Sequence, residues 1–194
     1  MEVTLNLTEI AGKVKLIFRK PSDFFKLYKN EKGWQHAFVY FALLTLIGSV
    51  LSLLYGFAIY PYLKPQIDAI FGNTGSTYTL SQVLPVAISS YVTGILFSFV
   101  WGFVFKLWVK MFGGKGTFAK AYQLIIYSRT PIYLLSWVPV VNLIALIYSL
   151  VIIYKGVKQY YGLSKVRSIL TVVLGLIAVF IASYVFISLL LSYS

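Results

Sequence analysis

Residues 121–154 read AYQLIIYSRTPIYLLSWVPVVNLIALIYSLVIIY: thirty-four residues between Lys120 and Lys155, with one charge, Arg129. As a single helix the stretch would be about 51 Å long at ~1.5 Å per residue, too long for one crossing of a ~30 Å hydrocarbon core. As two crossings it is tight, so the helices have to take in Phe118 at one end and Tyr161 at the other. Pro131 and Pro139 interrupt the stretch, and Trp137 to Asn142 can turn at the far interface. A single crossing would also put Lys155, Lys158, Lys165 and Arg167 on the side opposite the other basic clusters, against the disfavoured translocation of Lys and Arg. The stretch therefore reads as a hairpin of two spans, about 118–136 and 140–160.

The basic residues outside it follow the same logic. Of seventeen Lys and Arg, fifteen fall in three clusters, residues 1–34, 106–120 and 155–167; only Lys64 and Arg129 lie elsewhere. Uncharged apolar stretches separate the clusters. They give a first span of about 36–63, closed by Tyr60, Pro61 and Tyr62 at an interface, a second of about 83–105, and a fifth of about 168–191. Residues 64–82 read as a polar loop with Gly72, Asn73, Gly75 and Ser76 as turn formers. The expected architecture is an all-α polytopic membrane protein with five transmembrane helices, the N-terminus cytoplasmic and the C-terminus outside. It divides into a cytoplasmic juxtamembrane segment, 1–34, and a membrane domain, 35–194.

Composition supports this. The chain is 59% hydrophobic and 11% charged, against about 25% charged in soluble domains. The net charge of +12 flanks apolar spans, which points to topology and to anionic headgroups on the cytoplasmic face rather than to nucleic acid. With no Cys, disulfides and thiolate chemistry are excluded. The first 34 residues lack the apolar core and cleavage site of a signal peptide.

Residues 6–20 read as an amphipathic, interfacial helix. Leu7, Ile10, Ala11, Val14, Ile17 and Phe18 follow a helical spacing, Asn6 can cap the helix with Glu9 as reciprocal partner, and Lys13 and Arg19 fall off the stripe. Pro21 ends it, and Ser22 to Asn30 is a second short helical piece. Such segments lie in the membrane interface or pack on the protein's own cytoplasmic loops; both stay open. The expected contacts with the membrane surface or a partner are Lys13, Lys15, Arg19, Lys20, Lys110, Lys115, Lys158 and Lys165. Val109-Lys110-x-Phe112-x-Gly114 is echoed by Val157-Lys158-x-Tyr160-x-Gly162 48 residues later, a spacing that permits a repeat of two hairpins.

Catalytic chemistry has little to work with. All five acidic residues lie outside the expected spans and His36 is the single His, so no catalytic residues, cofactor or metal site are expected. Gly113-Gly114-Lys115-Gly116 lacks the spacing of a phosphate loop and reads as an interfacial turn. Arg129 is the exception. Eleven residues into the third helix, it reads as near mid-span, where a charge costs at least ~2.5–3.5 kcal/mol. Its expected partners are Tyr127, Thr130, carbonyls freed near Pro131, water or a lipid phosphate. It either forms a polar, anion or lipid site or braces the bundle.

Four segments carry a family resemblance: Pro21-x-x-Phe24-Phe25, Gly113-Gly114-Lys115-Gly116-Thr117-Phe118, Tyr127-x-x-x-Pro131, and Gly156-x-x-x-x-Tyr161-Gly162-Leu163-Ser164-x-x-Arg167. In this order and spacing, over about residues 18–190, the chain resembles the Yip family of Ypt/Rab-interacting integral membrane proteins, in its prokaryotic form. The resemblance implies a five-helix bundle with a cytoplasmic N-terminus. Eukaryotic members act in vesicle trafficking, binding small GTPases and each other. Their Asp-Leu-Tyr-Gly-Pro signature is absent here and the N-terminal region is short, which weighs against GTPase binding. The expected function is a non-enzymatic scaffold or adaptor in membrane organisation, multi-pass in a prokaryotic cell membrane, with room for a cytosolic protein partner or a homo-oligomer. The alternative is a small transporter, channel or lipid-handling protein with its polar site at Arg129.

Overall fold

The computed structural model describes residues 6–72, 79–138 and 140–192; the expected turn formers Asn73, Gly75 and Ser76, and Pro139, lie outside the described residues. Among the described residues the regular structure is helical: α1 (Leu7–Arg19), α2 (Pro21–Leu27) with a 3-10 turn (Tyr28–Asn30), α3 (Gln35–Ala58), α4 (Tyr60–Phe71), α5 (Leu80–Met111), α6 (Phe118–Ser128), α7 (Thr130–Leu135), α8 (Val141–Tyr161) and α9 (Lys165–Ser192). Four of these, α3, α5, α8 and α9, are long and apolar enough to cross a membrane.

Local chemistry sets the boundaries. The Asn6 side chain accepts from the Thr8 amide, 3.3 Å, but Glu9, expected to reach back to it, pairs with Lys13 one turn on instead, 3.3 Å. Pro21 closes α1 and opens α2, where its missing N–H costs nothing. At the start of α5, Thr79 and Gln82 form a capping box. At its end Gly113 (φ 87°) takes the left-handed position, and the Gly114 amide closes back on the Val109 carbonyl, 3.0 Å. Gly162 (φ 64°) ends α8. The capping glycine thus falls one place earlier in the first of the two echoed segments than in the second, so the echo does not extend to the caps.

Two expected boundaries are corrected. The first span stops at Ala58, and residues 60–71, expected from 64 onward as a polar loop, are a helix. Pro61 sits in its first turn, and Lys64 pairs with Asp68 at i, i+4, which offsets a small part of the cost of Pro65 inside the helix. The expected third span is two helices, α6 and α7, meeting at Arg129.

The packed core is not centred in the bundle. Ile10, Ile17, Phe24, Phe25, Tyr40, Leu124, Tyr127, Ile152, Val157 and Tyr160 are buried together, where α1, α2, α6 and the second half of α8 meet the first turns of α3. Here too the last turns of α5 and α8 and the first turns of α6 and α9 converge. This is the basic end of the molecule. Toward the far end, α3, α5, α8 and α9 carry outward-facing Leu, Ile, Val and Phe, the exterior that a lipid solvent favours over water.

Candidate functional site

Everything distinctive in the fold gathers around the break between α6 and α7. Pro131 has no N–H to offer the Tyr127 carbonyl, so a continuous helix would leave that carbonyl bare. The Thr130 hydroxyl donates to it instead, 2.8 Å, and shares a second hydrogen bond with the Tyr40 hydroxyl of α3, 2.9 Å. The Arg129 amide bonds back to Ile126, 3.2 Å, tightening the last turn of α6.

On one side of the break lies a buried ion pair. The Lys13 ammonium, 1% exposed, is 3.2 Å from Glu31 Oε1; the Tyr127 hydroxyl donates to Glu31 Oε2, 2.9 Å. The same ammonium stands over the rings of Tyr28 and Tyr127, 4.8 and 5.6 Å from their centroids. Burial, then the carboxylates of Glu9 and Glu31, push the Tyr28 phenol up from its ordinary pKa, so it stays protonated. Gln123 Nε2 fixes the backbone below, donating to the carbonyls of Glu31 (3.1 Å) and Gly33 (2.6 Å). Sequence reasoning missed this constellation. Lys13 leaves the set of expected surface contacts. The signal was its position three residues after Ile10 and four before Ile17, on the apolar face.

Arg129 is also placed differently from expectation. Gln123 pairs with residues that precede α3, and Thr130 pairs with Tyr40, the sixth residue of α3. Arg129 therefore lies about 8 Å along α3 from its start, at ~1.5 Å per residue, near the basic end rather than at mid-span. Its guanidinium is partly exposed and stacks over Trp101 of α5, 5.5 Å from the ring. Tyr127 and Thr130 are not its partners: their hydroxyls serve Glu31 and the Tyr127 carbonyl. A partly exposed Arg over a Trp ring is a modest cation–π contact.

The four segments that carry the family resemblance meet in space. Phe24 packs edge-on against Tyr127 (5.0 Å between centroids) and Phe25 against Tyr160 (5.0 Å). A Cβ at Gly156 would stand 2.9 Å from the Phe25 ring; Cβ atoms at Gly114 and Gly116 would run into Val109 and Tyr161. The glycine loop is thus a seat for the Tyr161 ring. Around it Lys15, Arg19, Lys20, Lys110, Lys115, Lys158 and Lys165 all stay exposed.

On the other side of the break is a cavity. The small residues Ser90, Gly94, Ser98 and Gly102 recur every fourth position along α5. The basic-end pair is filled by α6: Tyr122 bonds to Ser98, 3.0 Å, and its ring lies where a Cβ at Gly102 would be. After the break α7 leaves α5 and packs on α3 and α8, so close that a Cβ at Gly48 would be 2.1 Å from the Tyr133 carbonyl. Ser90 and Gly94 are left facing a space of about 200 Å³, walled by α3, α5 and the end of α7. Among the described residues no group of three His, Asp or Glu side chains is placed to hold a metal.

A helical bundle with four membrane-length apolar helices and an apolar exterior is a multi-pass integral membrane protein. The Yip1 domain model matches residues 15–187, and the chain belongs to that family. Neither a curated protein nor a solved structure matches it significantly.

Proposed function

We propose that this family member is a non-catalytic membrane scaffold or adaptor whose basic end is cytoplasmic and gathers anionic headgroups, with α3, α5, α6–α7, α8 and α9 as five crossings. The observation that carries it is the crown of exposed cations, Lys110, Lys115, Lys158 and Lys165, around the loop whose Gly114 and Gly116 seat the Tyr161 ring. Lys110 and Lys158 also sit in the last turns of α5 and α8, where they complement the helix dipoles. The crossing count has its own support. The ends of α5 and α8 touch through Gly114, Gly116 and Tyr161, while Trp137 rests 6.1 Å from the Tyr55 ring near the far end of α3. The chain travels out and back between those points, which supports reading α6–α7 and α8 as a pair of crossings.

The test is lipid enrichment around the full-length protein in nanodiscs. Trp34, Trp101 and Trp108 all lie at the basic end, so energy transfer to dansyl-phosphatidylserine should exceed transfer to dansyl-phosphatidylcholine. Each cation near an anionic surface contributes about 1 kcal/mol. Changing Lys110, Lys115, Lys158 and Lys165 together to Gln should therefore lower the preference by up to roughly a thousandfold in the binding constant. Equal transfer to the two lipids in the unaltered protein would sink the proposal.

A further inference from the structure

The cavity beside the break is chemically specific. It is an open groove between helices, lined by the hydroxyl-bearing Thr45, Ser49, Ser52, Ser90, Tyr91, Tyr133 and Ser136, with Ser52 and Ser90 exposed, and by no charged side chain. Two of them are engaged: Thr45 donates to the Phe41 carbonyl, 2.7 Å, and Tyr91 to the Ala42 carbonyl, 3.1 Å. These two keep only acceptor capacity. The hydroxyls of Ser49, Ser52, Ser90 and Ser136 bond to no described group, so each can donate and accept. In a lipid-facing position such hydroxyls are costly unless something pairs with them. A backbone carbonyl one turn earlier is the usual partner of a helical Ser, and Ser89 and Ser98 use a neighbouring carbonyl in this way. The cavity serines do not.

The space, about 200 Å³, equals six or seven waters at ~30 Å³ each. A complementary occupant is small, uncharged and balanced in donors and acceptors. Gly94 leaves the α5 wall bare, with nothing within 4 Å of a Cβ built there, so the cavity is not a packing defect waiting for one methyl group. It exists because α6 fills the lower half of the small-residue stripe of α5 and α7 turns away from the upper half.

We propose that this cavity is a binding site for a polyol group, either free, as in glycerol, or as the hydroxyl-bearing headgroup of a neutral lipid such as diacylglycerol. The apolar flanks of α3 and α5 would hold the chains in the second case, and Ser49 and Ser90 would face each other across the bound hydroxyls in both.

Full-length protein in nanodiscs distinguishes the sources. Saturation-transfer NMR with glycerol reports the free polyol; native mass spectrometry with diacylglycerol, against triacylglycerol, which has no hydroxyl, reports the lipid. The unaltered protein should bind at least one of the two hydroxyl probes and bind triacylglycerol at least tenfold more weakly. Gly94→Leu places its Cβ in open space and replaces a helix-interior Gly by a better helix former, so it should keep the melting temperature and, by occupying the groove, lose binding at least tenfold. Ser49→Ala with Ser90→Ala removes the hydroxyls without adding volume and should do the same. Glycerol alone bound means a soluble polyol; diacylglycerol bound means a lipid. If the unaltered protein binds neither probe, or if a folded Gly94→Leu variant or the double Ala variant binds as tightly as the unaltered protein, the site is not there.

Discussion

Glu31→Gln isolates the buried charge of Lys13. Gln keeps the volume and can still accept from the Tyr127 hydroxyl, but it cannot balance an ammonium that is 1% exposed. Removing one partner of a buried pair costs ~3–5 kcal/mol, because the other charge is left unpaired in low dielectric. Glu9, 3.3 Å from the same ammonium and 45% exposed, remains; a solvent-screened pair of that kind returns ~0.2–1 kcal/mol. The expected loss is about 2–4 kcal/mol, or roughly 4–16 °C in melting temperature for a chain of this size. Lys13→Met together with Glu31→Gln removes both charges and should regain most of the loss, since apolar replacement of a buried pair is often neutral. Tryptophan fluorescence during denaturation in nanodiscs follows the transition, with Trp34 close to the pair. Trypsin cutting at Lys15 and Arg19 shows whether α1 lets go first. A Glu31→Gln protein within about 0.5 kcal/mol of the original, or a double variant no better than the single ones, would refute the reasoning.

Three further outcomes are expected from the same unfolding measurement. Thr130→Val strands the Tyr127 carbonyl and the Tyr40 hydroxyl and should cost about 1–3 kcal/mol, while Thr130→Ser, which keeps the donor, should cost far less. Gly156→Ala drives a Cβ to 2.9 Å from the Phe25 ring and should cost about 1–3 kcal/mol, of which Phe25→Leu in the same chain recovers a part. Arg129→Gln, by contrast, should cost under about 1 kcal/mol, the size of an exposed cation–π contact; a loss several times larger would mean the side chain is buried more deeply than Trp101 allows.

Much of the architecture was legible because a bilayer makes strict demands on sequence. Lysines at the ends of uncharged apolar runs located α8 and α9 within about three residues and α5 within about six. The family motifs were legible too, since glycines that seat a ring cannot be replaced by larger residues without a clash. Depth was not legible. Counting from Phe118 placed Arg129 at mid-span, because helical periodicity records which face a residue occupies and not how far along the membrane normal its helix begins. That needed the hydrogen bonds of Gln123 to the chain before α3. Lys13 was misjudged because it was read as lying off the apolar stripe, although it stands three residues after Ile10 and four before Ile17, and Glu31 supplies the partner that its burial needs. Residues 64–71 looked like a loop because Pro65 and two charges broke the apolar run, yet those charges are spaced to close a helical turn.

The hydrogen bonds that dock the N-terminal segment reach far along the chain: Tyr127 to Glu31, Tyr148 to the Phe18 carbonyl and Tyr160 to the Tyr28 carbonyl join residues 96 to 132 positions apart. During synthesis α1 and α2 therefore leave the ribosome long before the groups that will hold them. Until α6 and α8 have been made, Phe24 and Phe25 lack the rings they pack on, Tyr127 and Tyr160. Docking of α1 and α2 is therefore a non-local step, closed by groups from 96 to 132 residues further along the chain.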